Sequence, residues 1–321
     1  MAAEIILVVL GLAILLVAGD LLVRGAVSLA AALSVSPLLV SLTIVAFGTS
    51  APELVVSVQA VLSGSDGIAL GNIIGSNIAN VLMVLGLPAI IYPITTHVTG
   101  LRRHAVFMLI ATALFAGTAY TTGQIGTTIG AVLFTGILLY VGYMWIRASR
   151  GGASDPVLDE VEEYRESSSL SIKTVLFLVV GLIGLPLGAH LLVNNGANLA
   201  SGLGVREELI GLTIIAFGTS LPELATVIAA AVHKKSDVAI GGIIGSNIFN
   251  ILAVGGAAGL AGTAVFDAQS LSVDIPVMIA AALVLSLFVV LRRDIGRLTG
   301  VFFFGAYIGF MIALAALAGG F

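Results

Sequence analysis

Apolar residues run along this chain in stretches long enough to cross a bilayer, separated by short polar clusters. The stretches lie at roughly 4–31, 37–63, 66–91, 102–121, 124–147, 171–201, 205–232, 237–261, 270–291 and 297–320. The pattern predicts ten transmembrane helices. Several stretches exceed the roughly 20 residues that a perpendicular helix needs, which points to tilted or broken segments. The first stretch carries Glu4 where a signal peptide would carry Lys or Arg, and Asp20 and Arg24 fall within it, so it reads as a retained span.

Composition agrees with the pattern and removes other classes. Of 321 residues 59% are apolar and 9% charged, and the mean hydropathy is +1.18, far from a soluble domain. The chain has no cysteine, so disulfides, thiolate metal sites and cysteine nucleophiles are excluded, and any metal must be held by oxygen or imidazole. A net charge of −4 without a basic run leaves nothing to grip nucleic acid. With the amino terminus outside, the inner loops hold Arg102, Arg103, Arg147, Arg150, Arg165, Lys173, Lys234, Lys235, Arg292, Arg293 and Arg297. The outer loops hold only Arg206, and Arg24 lies inside the first span. This bias predicts a multi-pass protein of the cell membrane with both termini outside.

The chain also repeats itself. Thr43 to Glu53 reads TIVAFGTSAPE and Thr213 to Glu223 reads TIIAFGTSLPE, nine identities in eleven at an offset of 170; GNIIGSNIAN from Gly71 and GGIIGSNIFN from Gly241 add eight in ten. Each half then has five spans, and an odd number inverts the second half in the membrane. The expected fold is an all-α integral membrane protein of ten transmembrane helices in two inverted five-helix repeats. Residues 1–148 form the first repeat, 149–170 a cytoplasmic linker rich in Gly, Ser and acid, and 171–321 the second repeat. A duplicated bundle held only by packing would preserve small and apolar residues. Here the matched positions include Thr49, Ser50 and Glu53, which asks for a polar role.

Of the acidic residues only Asp20, Glu53 and Glu223 fall well inside predicted spans, and the two glutamates are equivalent in the repeats. A charge at membrane depth costs at least about 2.5 kcal/mol and needs a partner, a cavity or a proton. Arg24 is placed to pair with Asp20 one helical turn away. Glu53 and Glu223 have no deep basic partner, so a transported cation can fill that role. Gly48 and Pro52 bracket Thr49–Ser50, as Gly218 and Pro222 bracket Thr219–Ser220, and proline removes a helical N–H. The helices should break there and free carbonyls at about Ala46 and Phe47, and at Ala216 and Phe217, for ligation. The competing reading is a capping box, Ser50 with Glu53 and Ser220 with Glu223. Ser76 and Asn80, like Ser246 and Asn250, share a helix face and can add hydroxyl and amide oxygens; for Asn77 and Asn247 interhelical hydrogen bonding is an equal alternative. Asp66 and Asp237 read as N-caps of the third helix in each half.

Counting selects the ion. Calcium takes about six to eight oxygens at flexible geometry, of which two bidentate glutamates and two carbonyls already provide about six, and the charges balance. Zinc and copper prefer imidazole or thiolate, and no histidine lies in either motif. Sodium shares the preference for hard oxygen, so the two ions would compete for the same carboxylates.

The paired motifs GTSAPE and GTSLPE, followed by GSNIAN and GSNIFN, resemble the repeats of the calcium/cation antiporter superfamily, in its prokaryotic-type sodium/calcium exchanger branch. The resemblance implies exchange of Ca2+ for Na+ by alternating access, with one net charge moved per cycle and no cofactor beyond the transported ions. It implies a metal site of Glu53, Glu223, Thr49, Ser50, Thr219, Ser220, Ser76, Asn80, Ser246 and Asn250, with the carbonyls of Ala46 and Ala216. Potassium-dependent relatives carry aspartate where this chain has Asn250, which argues against potassium co-transport. The short linker leaves no room for a calcium-sensing domain. A proton/calcium antiporter of the same fold is the nearest alternative. A channel would use similar ligands without coupling; a membrane hydrolase could be built on the two glutamates, but the chain has neither a histidine-rich metal motif nor a nucleophile elbow.

Overall fold

In a bilayer every backbone N–H and C=O must be satisfied within the protein, and these apolar runs do so by forming helices. The computed structural model describes residues 2–150, 171–203 and 218–317. In chain order the elements are α1 (Ala2–Leu33), α2 (Pro37–Thr49), α3 (Ala51–Leu62), α4 (Asp66–Ile91), α5 (Leu101–Thr122), β1 (Gln124–Ile125) and α6 (Thr127–Arg147). After residue 170 come α7 (Ile172–Gly202), α8 (Leu221–Val232), α9 (Ser236–Ala261), β2 (Ala264–Val265), α10 (Ser270–Leu291) and α11 (Arg297–Leu317). Among the described residues eight helices are long and apolar enough to cross a membrane, and nine if α2 and α3 count as one broken span. Of the predicted stretch 205–232, α8 is described, while residues 205–217 lie outside the described residues, as does most of the 149–170 linker.

The 170-residue offset reappears in three dimensions. A Cβ built on Gly11 would stand 2.7 Å from the backbone N of Leu192, and one on Gly181 would stand 2.7 Å from Cβ of Leu22. Gly11 and Gly181, like Leu22 and Leu192, are equivalents at that offset, so this is one contact made twice. Residues ascending α1 meet residues descending α7, Gly11 by Gly188 and Gly25 by Leu178, so the equivalent helices pack antiparallel. Small residues allow that approach without a hydrophobic driving force from water. The same reciprocity holds where Gly86 of α4 meets Gly300 of α11 and Gly256 of α9 meets Gly130 of α6. It holds again in the backbone pairings Ile94 with Ile295 and Ile125 with Ala264, both antiparallel.

These cross-half contacts enclose α4 and α9, the most buried spans: the apolar window of α9 is wholly inside the protein. Asp66 is the first residue of its helix rather than the cap, which is Ser65; its Oδ2 accepts the N–H of Val265 at 3.1 Å. Asp237 likewise follows the Lys235 cap and accepts the N–H of Val238.

Candidate functional site

Local sequence breaks the chain where the site forms. α2 and α3 meet at a 42° bend around Ser50, in keeping with the Gly48–Pro52 bracket. Pro52 has no N–H to give the carbonyl four residues upstream, that of Gly48. The Ala46 carbonyl, in contrast to the expectation, is engaged: it accepts the Ser50 N–H at 3.0 Å and the Thr49 hydroxyl at 3.4 Å. The equivalent Ala216 and Phe217 lie outside the described residues. Ser50 and Ser220 occupy the N-cap positions of α3 and α8, yet neither side chain makes a capping hydrogen bond.

The described residues include π-helical segments at Ser41–Val45, Asn80–Val84, Asn250–Val254 and Ser270–Asp274, and the middle two bear on the site. α4 turns into a π-helix over Asn80–Val84 and α9 does so over Asn250–Val254, again 170 residues apart. Single π turns inside α-helices recur at functional sites because they re-aim side chains and loosen the backbone ladder. Each begins on a motif asparagine. The Asn80 segment packs against α8, which carries Glu223, and the Asn250 segment packs against α3, which carries Glu53.

The carboxylates sit at the centre of this exchange. Glu53 is 1% exposed and Glu223 2%, close enough to interact electrostatically. Ser50 donates its hydroxyl to Glu223 Oε1 at 3.4 Å across the halves, and Thr49 and Ser246 hydroxyls pair at 3.3 Å. Ser76 adjoins Glu53, as Thr49 and Ser246 adjoin Glu223. Asn80 donates to Asn247 Oδ1 at 3.0 Å, and Asn247 donates to the Asn77 carbonyl at 3.4 Å. Asn77 turns its own amide to Ile73 of its helix. Asn247 therefore bridges the halves, and Asn77 serves α4. Sequence reasoning missed Asn72, whose amide holds the Glu53 carbonyl at 3.2 Å and the Ser57 hydroxyl at 2.9 Å. Its equivalent, Gly242, has no side chain, so the repeat comparison gave no signal.

What remains without a protein partner is nearly all oxygen: both Glu53 carboxylate oxygens, Glu223 Oε2, the Asn77, Asn80 and Asn250 amide oxygens and the Ser220 hydroxyl, all buried. Only the Asn250 amide nitrogen joins them from this neighbourhood. Leaving so many buried acceptors unmatched costs free energy unless they receive positive charge or donors. Thr219, unlike Thr49, Ser50, Ser76, Ser220 and Ser246, is only partly buried. Among the described residues no three His, Cys, Asp or Glu side chains cluster as a metal site. The donor set is thus two carboxylates supported by amides and hydroxyls, hard oxygen suited to calcium or sodium. Asp20, outside this set, pairs with Arg24 at 2.9 Å and also with His233 at the end of α8, so the ion-pair reading of Asp20 holds.

Relatives carry the same architecture. The family model described as sodium/calcium exchanger protein matches residues 3–148 and 173–316. The inner membrane protein YrbG of Escherichia coli (strain K12) is 36% identical, covering 97% of this chain and 95% of its own. The sodium/calcium exchanger MaX1 of Methanosarcina acetivorans is 31% identical, covering 96% of this chain and 97% of its own. The solved structure of the sodium-calcium exchanger NCX_Mj, soaked with Na+ and Sr2+, superposes with a TM-score of 0.82 at 31% identity over 97% of both chains. With both halves matched and the buried carboxylates at the centre of the repeat, the chain belongs to the sodium/calcium exchanger family.

Proposed function

We propose that this protein is a secondary-active antiporter that exchanges Ca2+ for Na+ by alternating access and moves net charge in each cycle. The observation that carries the reading is the reciprocal pair Glu53 and Glu223, buried together with unpartnered oxygens and, among the described residues, no basic partner. Two carboxylates neutralise one calcium, and several sodium ions can divide the same oxygens, so loading by one expels the other. Glu53 and Glu223 would be the central ligands. Thr49, Ser50, Ser76, Asn80, Thr219, Ser220, Ser246 and Asn250 would complete the sites with the carbonyls of Ala46 and Ala216. Ala46 would exchange its long bond from Thr49 for the ion.

Ten helices in two inverted halves, divided by residues 149–170 and with both termini outside, fit the reciprocal contacts and the cation bias. A twofold axis that brings equivalent helices antiparallel must run perpendicular to them, hence in the membrane plane. The halves are not equal in every contact, and this asymmetry supports alternating access. α1 packs closely along α8, where a Cβ on Gly19 would meet the Ala225 carbonyl at 2.8 Å, and Asp20 ties it to His233. The equivalent packing of α7 on α3 is not matched in extent among the described residues. On this reading the α1–α8 contact shuts one end of the site, and exchanging the two arrangements would shut the other.

The test is calcium uptake into sodium-loaded proteoliposomes diluted into sodium-free buffer, with membrane potential clamped and then varied. Uptake that requires internal sodium and responds to voltage is expected. Uptake indifferent to sodium and driven by a proton gradient would move the chain to proton/calcium exchange on the same fold, and uptake without any counter-ion would make it a channel.

A further inference from the structure

The tie that Asn72 makes to Glu53 belongs to one repeat only. The Asn72 amide of α4 donates to the Glu53 carbonyl at 3.2 Å and to the Ser57 hydroxyl at 2.9 Å, both on α3. A carbonyl can only accept, so this contact fixes which end of the amide faces α3. The buried Ser57 hydroxyl in turn donates to the Ala69 carbonyl of α4 at 3.4 Å. The two helices are thus tied in both directions. In the other repeat the equivalents of Asn72 and Ser57 are Gly242 and Val227, which offer no polar side chain. The buried hydroxyl nearby, that of Thr226, is turned to the Pro222 carbonyl of its own helix at 2.8 Å.

The tie sits where it sets the height of a carboxylate. Asn72, Ser76 and Asn80 follow one another at intervals of four along one face of α4. On α3 the Glu53 carbonyl points toward the helix C-terminus and Cβ leans toward the N-terminus. The carbonyl therefore meets Asn72, while the carboxylate reaches Ser76 one turn further along α4. A slide of α3 along α4 that moved the carboxylate would break both bonds of the amide. Glu223 is held differently, through its carboxylate, by the Ser50 hydroxyl at 3.4 Å across the halves. We infer that Asn72 is a positioning residue: it holds Glu53 at the separation from Glu223 that calcium requires, and so sets the preference for calcium over sodium. The inference rests on the exchange reading above. Calcium is balanced only when both carboxylates reach it, whereas one carboxylate suffices for a sodium ion. For the same displacement of Glu53 the electrostatic loss scales with ionic charge and is twice as large for the divalent ion.

The test is isothermal titration calorimetry of the full chain in detergent with calcium and with sodium, wild type beside Asn72→Leu, in which leucine matches the amide in shape and offers no donor. Hydrogen bonds that orient a metal's ligands are worth about 10–100-fold in affinity. At the lower end of that range, Asn72→Leu is expected to raise the calcium dissociation constant about tenfold and that of sodium about threefold, the square root that half the energy gives. Thr226→Val, which removes a hydroxyl bonded within its own helix, is expected to leave both constants unchanged. Thermal unfolding shows whether each variant is folded. Should Asn72→Leu unfold, Ser57→Ala removes one of the amide's two anchors, and calcium binding is expected to weaken about threefold, as for one hydrogen bond. Wild-type calcium affinity in the folded variant, or an equal loss for both ions, overturns the inference and leaves the exchange reading standing. A wild type that binds neither ion removes that reading and the inference with it.

Discussion

Glu53→Gln separates a ligand from a structural cap, because a glutamine can still cap but cannot supply the charge a calcium ligand needs. The Glu53 backbone is anchored through its carbonyl by Asn72, and both carboxylate oxygens lack a partner, so the substitution leaves the helix bonds in place. In ion-free buffer it removes a buried charge whose cost at membrane depth is at least about 2.5 kcal/mol. Stability should be unchanged or higher. Calcium at one hundred times its dissociation constant stabilises a binding protein by about 2.7 kcal/mol. Without one of two carboxylates, that gain should disappear. The electrostatic loss is larger for calcium than for sodium: at about 4 Å and an effective dielectric near 20, one unit charge contributes roughly 4 kcal/mol to a monovalent ion and twice that to a divalent one. The assay is thermal unfolding in detergent with and without calcium, alongside uptake into sodium-loaded vesicles. Wild-type calcium stabilisation and wild-type uptake in the variant would refute ligation and return Glu53 to a capping role.

Three other outcomes follow from the geometry. Gly300→Ala should lower stability by about 1–3 kcal/mol, since its Cβ would stand 2.6 Å from the Gly86 carbonyl and backbone cannot yield cheaply; Gly130→Ala should do the same against Gly256, and thermal unfolding of both checks the pair. Asp20→Asn should open the shut end of the site: with no native cysteine, Thr226→Cys provides a single buried thiol, expected to react faster with a membrane-impermeant reagent once the tie to His233 is gone. Asn250→Asp adds a third carboxylate beside Glu53's helix, so the reversal potential of exchange should shift; an unchanged potential would place Asn250 outside the ion path.

Much of this was legible because lipid restricts what sequence can hide. Glu53 and Glu223 stood out as carboxylates without deep basic partners, and the Gly48–Pro52 bracket announced the 42° bend. The offset of 170 marked the two repeats whose equivalent residues meet reciprocally. Three features escaped. A π turn has no residue signature, so those at Asn80 and Asn250 were invisible. The proline frees the carbonyl of Gly48, not Ala46, because the lost bond reaches four residues back. The division of labour between Asn77 and Asn247 arises from packing between halves, which identical local sequences cannot encode.

The exchange of partners between halves has a consequence for how the molecule is made. Gly86 meets Gly300, 214 positions downstream on the last described helix, so the first half leaves synthesis with one helix face bare until α11 is complete. Such distant pairings close late and slowly. Neither half alone can assemble the oxygen cluster, because each asparagine π segment rests on the other half's glutamate helix. A chain stopped short of Arg297 would already contain both glutamates and still lack the clamp over Gly86, so α11 decides whether the pairing of the halves is complete.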